Sequence, residues 1–353
     1  MSLTDVVAVL LFVGVVAYAV FGGADFGSGV WDLLAGGDEA GGTLRAQIDR
    51  SIGPVWEANH VWLIYILVFM WTAFPTAFSA LMSTLFVPWL LAGFGIVLRG
   101  ATFAFRKFSA TLGEARLYGV LFASSSVITP FFLGMIAGAV ASGRVPAEGY
   151  GDVWTSWTGP TSWLGGTLAV LTCTFLAGTF LAADFARAGH DDMAATMGHR
   201  ALVAGAITGA VALAAVLVLE FDAESLASGL HGRGAALIAM SAAAGLFSLW
   251  RLRAGRWARA RVGAVVAVAA IVIGWGVGQY PDLLVDEMTI ADAAGARSTL
   301  IGLIIVFGLA SVTAVPALMW LFWLVHQTEW SSEEPTAEQA SRAIRGGEAR
   351  PPA

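Results

Sequence analysis

Residues 5–34 read DVVAVLLFVGVVAYAVFGGADFGSGVWDLL, and this stretch decides the fold. No charge stands between Asp5 and Asp25. A helix needs about 20 predominantly apolar residues to cross the hydrocarbon of a bilayer, and this run supplies them without a break. It is too long for the apolar segment of a cleavable signal and is not preceded by a basic region, so it is expected to remain as a helix.

Working outward, the same character fills the chain. Of 353 residues 58% are apolar and only 12% charged, against about a quarter charged in a soluble domain. Eight further stretches reach the length of a span: 54–75, 77–99, 117–141, 161–183, 201–221, 234–250, 262–280 and 299–325. The expected fold is an all-α integral membrane protein of about nine transmembrane helices, its membrane domain covering residues 1–326. The loops are short and hold no inserted soluble domain. Residues 327–353 form a polar tail, expected to be cytoplasmic and disordered.

Orientation follows from the cations. Sixteen fall on one side, from Arg45 and Arg50 through Arg99, Arg106 and the Arg251–Arg261 group to Arg350; Arg144, Arg233 and Arg297 fall on the other. The N-terminus is therefore expected outside and the C-terminus in the cytoplasm. An internal echo accompanies this pattern: Phe21-Gly-Gly-Ala-Asp25-Phe26 resembles Phe180-Leu-Ala-Ala-Asp184-Phe185. Two four-helix bundles plus one extra helix would account for it.

Charges inside spans are costly and mark function or pairing. Asp25 lies among Gly23, Gly27 and Ser28, a face without bulk on which another helix can approach closely. Helix 2 opens with Ile52-Gly-Pro54-Val-Trp56-Glu57-Ala-Asn59-His60-Val-Trp62. Glu57 and His60 are three apart and share a face, with Trp56 and Asn59 as neighbours. A first-turn acid favoured by the helix dipole explains Glu57 alone, but not the polar residues a turn deeper. For His60 a structural hydrogen bond and a chemical role both remain open. Arg99 is either an anchor at the cytoplasmic boundary or the partner of Asp25, since an unpaired buried charge is expensive.

The cofactor and partner classes narrow in the same way. Cys173 is the only cysteine, so no disulfide framework and no Cys-based haem or zinc motif is available, and it reads as a small core residue. Of His60, His190, His199, His231 and His326 only His60 falls within a span, so no haem bound by this chain's own ligands and no metal is expected. A net charge of −6 argues against nucleic acid.

Four stretches carry a resemblance: Gly-Ala-Asp25-Phe-Gly-Ser-Gly29, the helix-2 segment Ile52 to Ile64, Arg99-Gly-Ala-Thr-Phe-Ala-Phe-Arg106, and Pro130-Phe-Phe-Leu-Gly134-Met-Ile-Ala-Gly138. The chain resembles subunit II of the cytochrome bd-type quinol oxidases over most of its length. The resemblance implies a non-haem subunit of a bacterial cell-membrane enzyme that oxidises quinol and reduces dioxygen to water. It implies haems b558, b595 and d on the partner, subunit I, with small accessory subunits and a structural quinone as further possibilities in the family. Carried over by position, Asp25, Glu57 and Arg99 are the marked residues. His60 stands where some members have Gln, and Glu57 where some have Asp. The residues themselves leave two other readings: a proton-coupled secondary transporter, because duplication and intramembrane acids suit one, and a purely structural scaffold subunit.

Overall fold

The structure is a computed structural model describing residues 2–36, 38–52, 56–106 and 111–325. It divides into two compact units, residues 1–300 and 301–353. Elements in order are α1 (Leu3–Ala17), a π-helical turn (Tyr18–Gly22), α2 (Gly23–Leu33), α3 (Asp38–Ile52), α4 (Trp56–Ala73), α5 (Pro75–Thr84), α6 (Phe86–Arg106) and α7 (Leu112–Ala141). There follow α8 (Pro160–Arg187), α9 (Asp191–Asp222), α10 (Glu224–His231), α11 (Ala235–Arg253) and α12 (Trp257–Gln279). A two-strand hairpin, β1 (Asp282–Leu284) with β2 (Met288–Thr289), leads to α13 (Ile290–Ala293) and α14 (Arg297–Val325).

Among the described residues eight helices are long and apolar enough to cross a membrane, and a ninth span is available if α4 and α5 are counted together. The fold is an all-helical multi-pass membrane protein. The second set of four long helices closes into a ring, α8 on α9, α9 on α11, α11 on α12 and α12 back on α8. In the first set α4 packs on α1, α2 on α7 and α6 on α7. The two sets meet where α7 and α2 lie against α8. In the second unit α14 continues as helix to Val325 with Pro316 inside it. Its polar continuation, the expected tail, lies outside the described residues.

Close approach at the junction is a consequence of composition. A Cβ on Gly27 would overlap the Cys173 carbonyl, and one on Gly29 would overlap Ser126 Oγ. Lipid tails are as apolar as leucine, so helices in a membrane associate through contact distance and hydrogen bonds rather than hydrophobic exclusion. Glycine at these two positions brings the α2 backbone onto α8 and α7, and the Trp31 indole N–H donates to the Thr174 carbonyl at 2.9 Å across the same seam. Cys173 is buried there as a small packing residue.

Three features depart from the sequence reading. The span expected at 77–99 is two elements: α5 is bent from α4 by 119°, and the membrane helix proper is α6, ending at Arg106. The division within 77–99 falls at Leu85 (φ −105°, ψ 26°), just before α6, while the bend between α4 and α5 is set by Pro75. This proline excludes Phe74 from the helical region (φ −132°, ψ 61°) and then occupies the first turn of α5, where its missing N–H costs nothing. The stretch 38–52, read as a loop, is the helix α3, which buries Leu44 and Ile48 one turn apart. The span expected from residue 201 is α9, which already begins at Asp191; its first turns are polar and so escape a reading by apolar length. On the α7–α8 loop the Asp152 carboxylate accepts the Thr155 and Trp154 N–H groups, which holds it below the usual carboxylate range.

Candidate functional site

Asp25 and Arg99 form the most deeply buried ion pair among the described residues. Only 1% of each side chain is exposed. Arg99 Nη2 donates to Asp25 Oδ1 at 2.8 Å and Nη1 to Oδ2 at 3.0 Å, a bidentate fork. Nη2 also reaches the Asp25 carbonyl at 3.1 Å, and Nε donates to Ser126 Oγ at 2.9 Å. Ser126 passes its own hydrogen to the Phe122 carbonyl at 2.7 Å, and Ser28 Oγ donates to the Asp25 carbonyl at 2.5 Å. The guanidinium carbon lies 4.7 Å from the Phe122 ring centroid and 5.1 Å from that of Phe26. Planar, bidentate and stacked, this is a site for arginine and not for lysine.

Three helices build it. Asp25 sits in the glycine-rich first turn of α2, Arg99 lies two turns from the end of α6, and Ser126 is in α7. The Ser126 hydroxyl was the part that sequence reasoning missed. The triplet Ser124-Ser125-Ser126 within an apolar span was the signal, and Ser125 and Ser126 are fully buried.

The helix-2 cluster approaches the same centre from the side. His60 stands 5.9 Å from Phe26 and 6.4 Å from Tyr18, measured between ring centroids. Asn59 is buried, and Trp62 packs against the small cluster of Tyr18, Phe26 and Cys173. Glu57 and Trp56 begin α4, but their side chains lie outside the described residues. Phe26 is the shared wall between His60 and the ion pair.

Further polar groups line the end of the bundle at which α4 begins. Arg45 Nε donates to Asp32 Oδ1 at 2.8 Å and Nη2 to the Gly36 carbonyl at 2.7 Å. Asp184, the echo of Asp25, accepts from Ser51 Oγ at 3.1 Å, Arg187 at 3.1 Å and Arg261 at 3.4 Å. The helix α3 thus ties both aspartate-bearing helices together, through Arg45 and Ser51. At the opposite end Arg144 holds Asp222 in a bidentate pair, and Asp222 also accepts the Thr161 N–H at 2.9 Å and hydroxyl at 2.6 Å. No group of three or more His, Cys, Asp or Glu side chains suited to a metal occurs among the described residues.

A family model described as cytochrome bd terminal oxidase subunit II matches residues 3–325. The chain belongs to that family. Cytochrome bd ubiquinol oxidase subunit 2 of Bacillus subtilis (strain 168) is 30% identical over 135 residues, 38% of this chain and 39% of the relative. A putative cytochrome bd menaquinol oxidase subunit II of the same organism is 25% identical over 219 residues, 60% of this chain and 61% of the relative. The matched stretches therefore cover less than two thirds of either relative. A chain in the structure of bd oxidase from Geobacillus thermodenitrificans superposes with a TM-score of 0.76 at 22% identity, over 93% of this chain and all of the other, which is a likeness of fold. In this member of the family His60 and the buried ion pair lie on either side of Phe26, within the first four spans.

Proposed function

We propose that this chain is the non-haem subunit of an oxidase that couples oxidation of membrane quinol to reduction of dioxygen to water, joined to a haem-bearing subunit I in a bacterial cell membrane. Protons reach the oxygen chemistry from the cytoplasmic side, where α4 begins; the sixteen-to-three division of cations supports that orientation. Glu57 takes up the proton, His60 stands one turn deeper, and Asn59 and Trp62 orient the groups between them. The Asp25–Arg99 pair adjoins this route and fixes the charge beside it. Membership of the subunit II family carries the reading.

On this reading the haems are held by the partner and not by this chain's own ligands. The only histidine expected within a span, His60, lies with Phe26 and Tyr18 at ring separations of 5.9 and 6.4 Å. Arg99 commits four hydrogen bonds to Asp25 and Ser126. What this chain supplies is the fold that supports its partner and a succession of groups able to pass protons.

Glu57 provides the test. Glu57→Gln is expected to assemble normally yet consume oxygen slowly, and Glu57→Asp to keep most activity because the carboxylate survives. A fully active Glu57→Gln complex would reduce Glu57 to a helix-capping acid.

A further inference from the structure

Tyr18 opens a π-helical turn, Tyr18–Gly22, between α1 and α2. Such a turn inserts one residue into a helix and weakens its hydrogen-bond ladder, and turns of this kind are frequent at functional sites. Here its effect is to aim the Tyr18 ring. The ring lies over Gly22, where a Cβ would come within 2.9 Å of it. It meets Phe26 edge-on at 6.2 Å and His60 at 6.4 Å, and the turn packs against α4.

The residue is 9% exposed, and its hydroxyl has no hydrogen-bond partner among the described residues. A phenol in such surroundings is otherwise a poor choice over phenylalanine, because buried polar groups in native proteins are satisfied by protein or by internal water. Cys173, Leu63, Ile66, Ile96 and Leu133 around it offer no strong acceptor. The His60 ring, with its two nitrogens, stands 6.4 Å from the Tyr18 ring between centroids.

We infer that the Tyr18 hydroxyl binds an internal water that continues the proton route beyond His60, an inference that rests on the proposed role of Glu57 and His60. The water accepts a hydrogen bond from one neighbour and donates to the other. A proton entering from the His60 side is matched by one leaving past the phenol, so Tyr18 ends each passage neutral and unchanged. Tyr18 is on this account a positioning residue. It touches no reacting atom, and its function is to hold the water in line.

The test is Tyr18→Phe in the complete complex with its partner, which keeps the ring and removes only the hydroxyl. Assembly and absorption spectrum are expected to match wild type, while quinol-driven oxygen consumption falls about tenfold, less than the roughly 10²–10⁴-fold contributed by a group that itself transfers the proton, as suits a residue that only holds the water. With proton supply limiting, the alkaline decline in rate begins at lower pH than in wild type, a change that a packing role would not produce. Wild-type turnover with an unmoved pH profile would overturn the inference. Loss of assembly would overturn it equally, by making the hydroxyl a determinant of packing. Glu57→Gln measured in parallel separates the two levels: a fast Glu57→Gln removes the route itself, whereas a slow Glu57→Gln beside a fast Tyr18→Phe removes only the Tyr18 link.

Discussion

Arg99→Ala is the perturbation whose magnitude the structure fixes best. Removing the side chain deletes the fork to Asp25, the third bond to the Asp25 carbonyl and the bond to Ser126, at distances between 2.8 and 3.1 Å. It leaves the Asp25 carboxylate, 1% exposed in the intact pair, without the one cation that pairs with it among the described residues. Breaking a buried pair from one side costs about 3–5 kcal/mol, mostly because the remaining charge is stranded. The loss of two aromatic contacts to the guanidinium adds to this. Replacing both partners by apolar residues of similar volume, Asp25→Leu with Arg99→Met, strands nothing and is expected to recover much of the loss. The assay is thermal stability of the purified complex in detergent, with its abundance in membranes, for each single variant and the double. The order expected is wild type, then double, then either single variant. An Arg99→Ala complex with wild-type abundance and thermal midpoint would refute the reasoning, and a double variant worse than both singles would refute the charge-stranding explanation in particular.

Other consequences are open to direct measurement. A reporter fused after Arg350 is expected to read cytoplasmic and one in the loop at Arg144 external; both on one side would break the proposed topology. Expressed without its partner, the chain is expected to bind no stoichiometric haem, and haem retained by the isolated chain but lost in His60→Ala would contradict this. Gly27→Leu is expected to abolish accumulation of the folded chain, because a side chain there meets the α8 backbone at Cys173 and not a movable side chain; normal accumulation would show that α2 and α8 are not so closely seated.

The spans were legible because apolar length is a one-dimensional property. Residues 5–34 and 161–183 carry their own evidence, and the echo around Asp25 and Asp184 foretold two groups of four helices. What escaped were features decided by single residues or by surroundings. Leu85 divides α5 from α6 within the run 77–99, which composition alone reads as continuous. The helix α3 shows only two strongly apolar positions on its buried face, Leu44 and Ile48, and its reason for being is partly ionic, through Arg45 to Asp32 and Ser51 to Asp184. The π-helical turn at Tyr18 has no sequence signature at all.

The site divides along the same line. Asp25 and Arg99 each stood out as charges where lipid is expected, and pairing was the inexpensive solution for both. Ser28 was marked only for its small size and Ser126 not at all, because serines are common in membrane helices and most simply bond the preceding turn, as Ser125 does to the Phe122 carbonyl at 2.9 Å. Only the arrival of Arg99 from α6 distinguishes Ser126 from its neighbours. His60 was singled out with two uses left open, and the structure adds the Phe26 and Tyr18 rings beside it.

The central claim, that this subunit II serves a quinol-oxidising, dioxygen-reducing complex, is tested most directly by purifying the native assembly through a tag on this chain. Its reduced-minus-oxidised spectrum and its oxygen consumption with a quinol are recorded on the same sample. The account predicts a co-purifying haem-bearing partner, a haem d band and quinol-dependent oxygen uptake. A chain that purifies alone, without chromophore, and that transports a solute when reconstituted would contradict it.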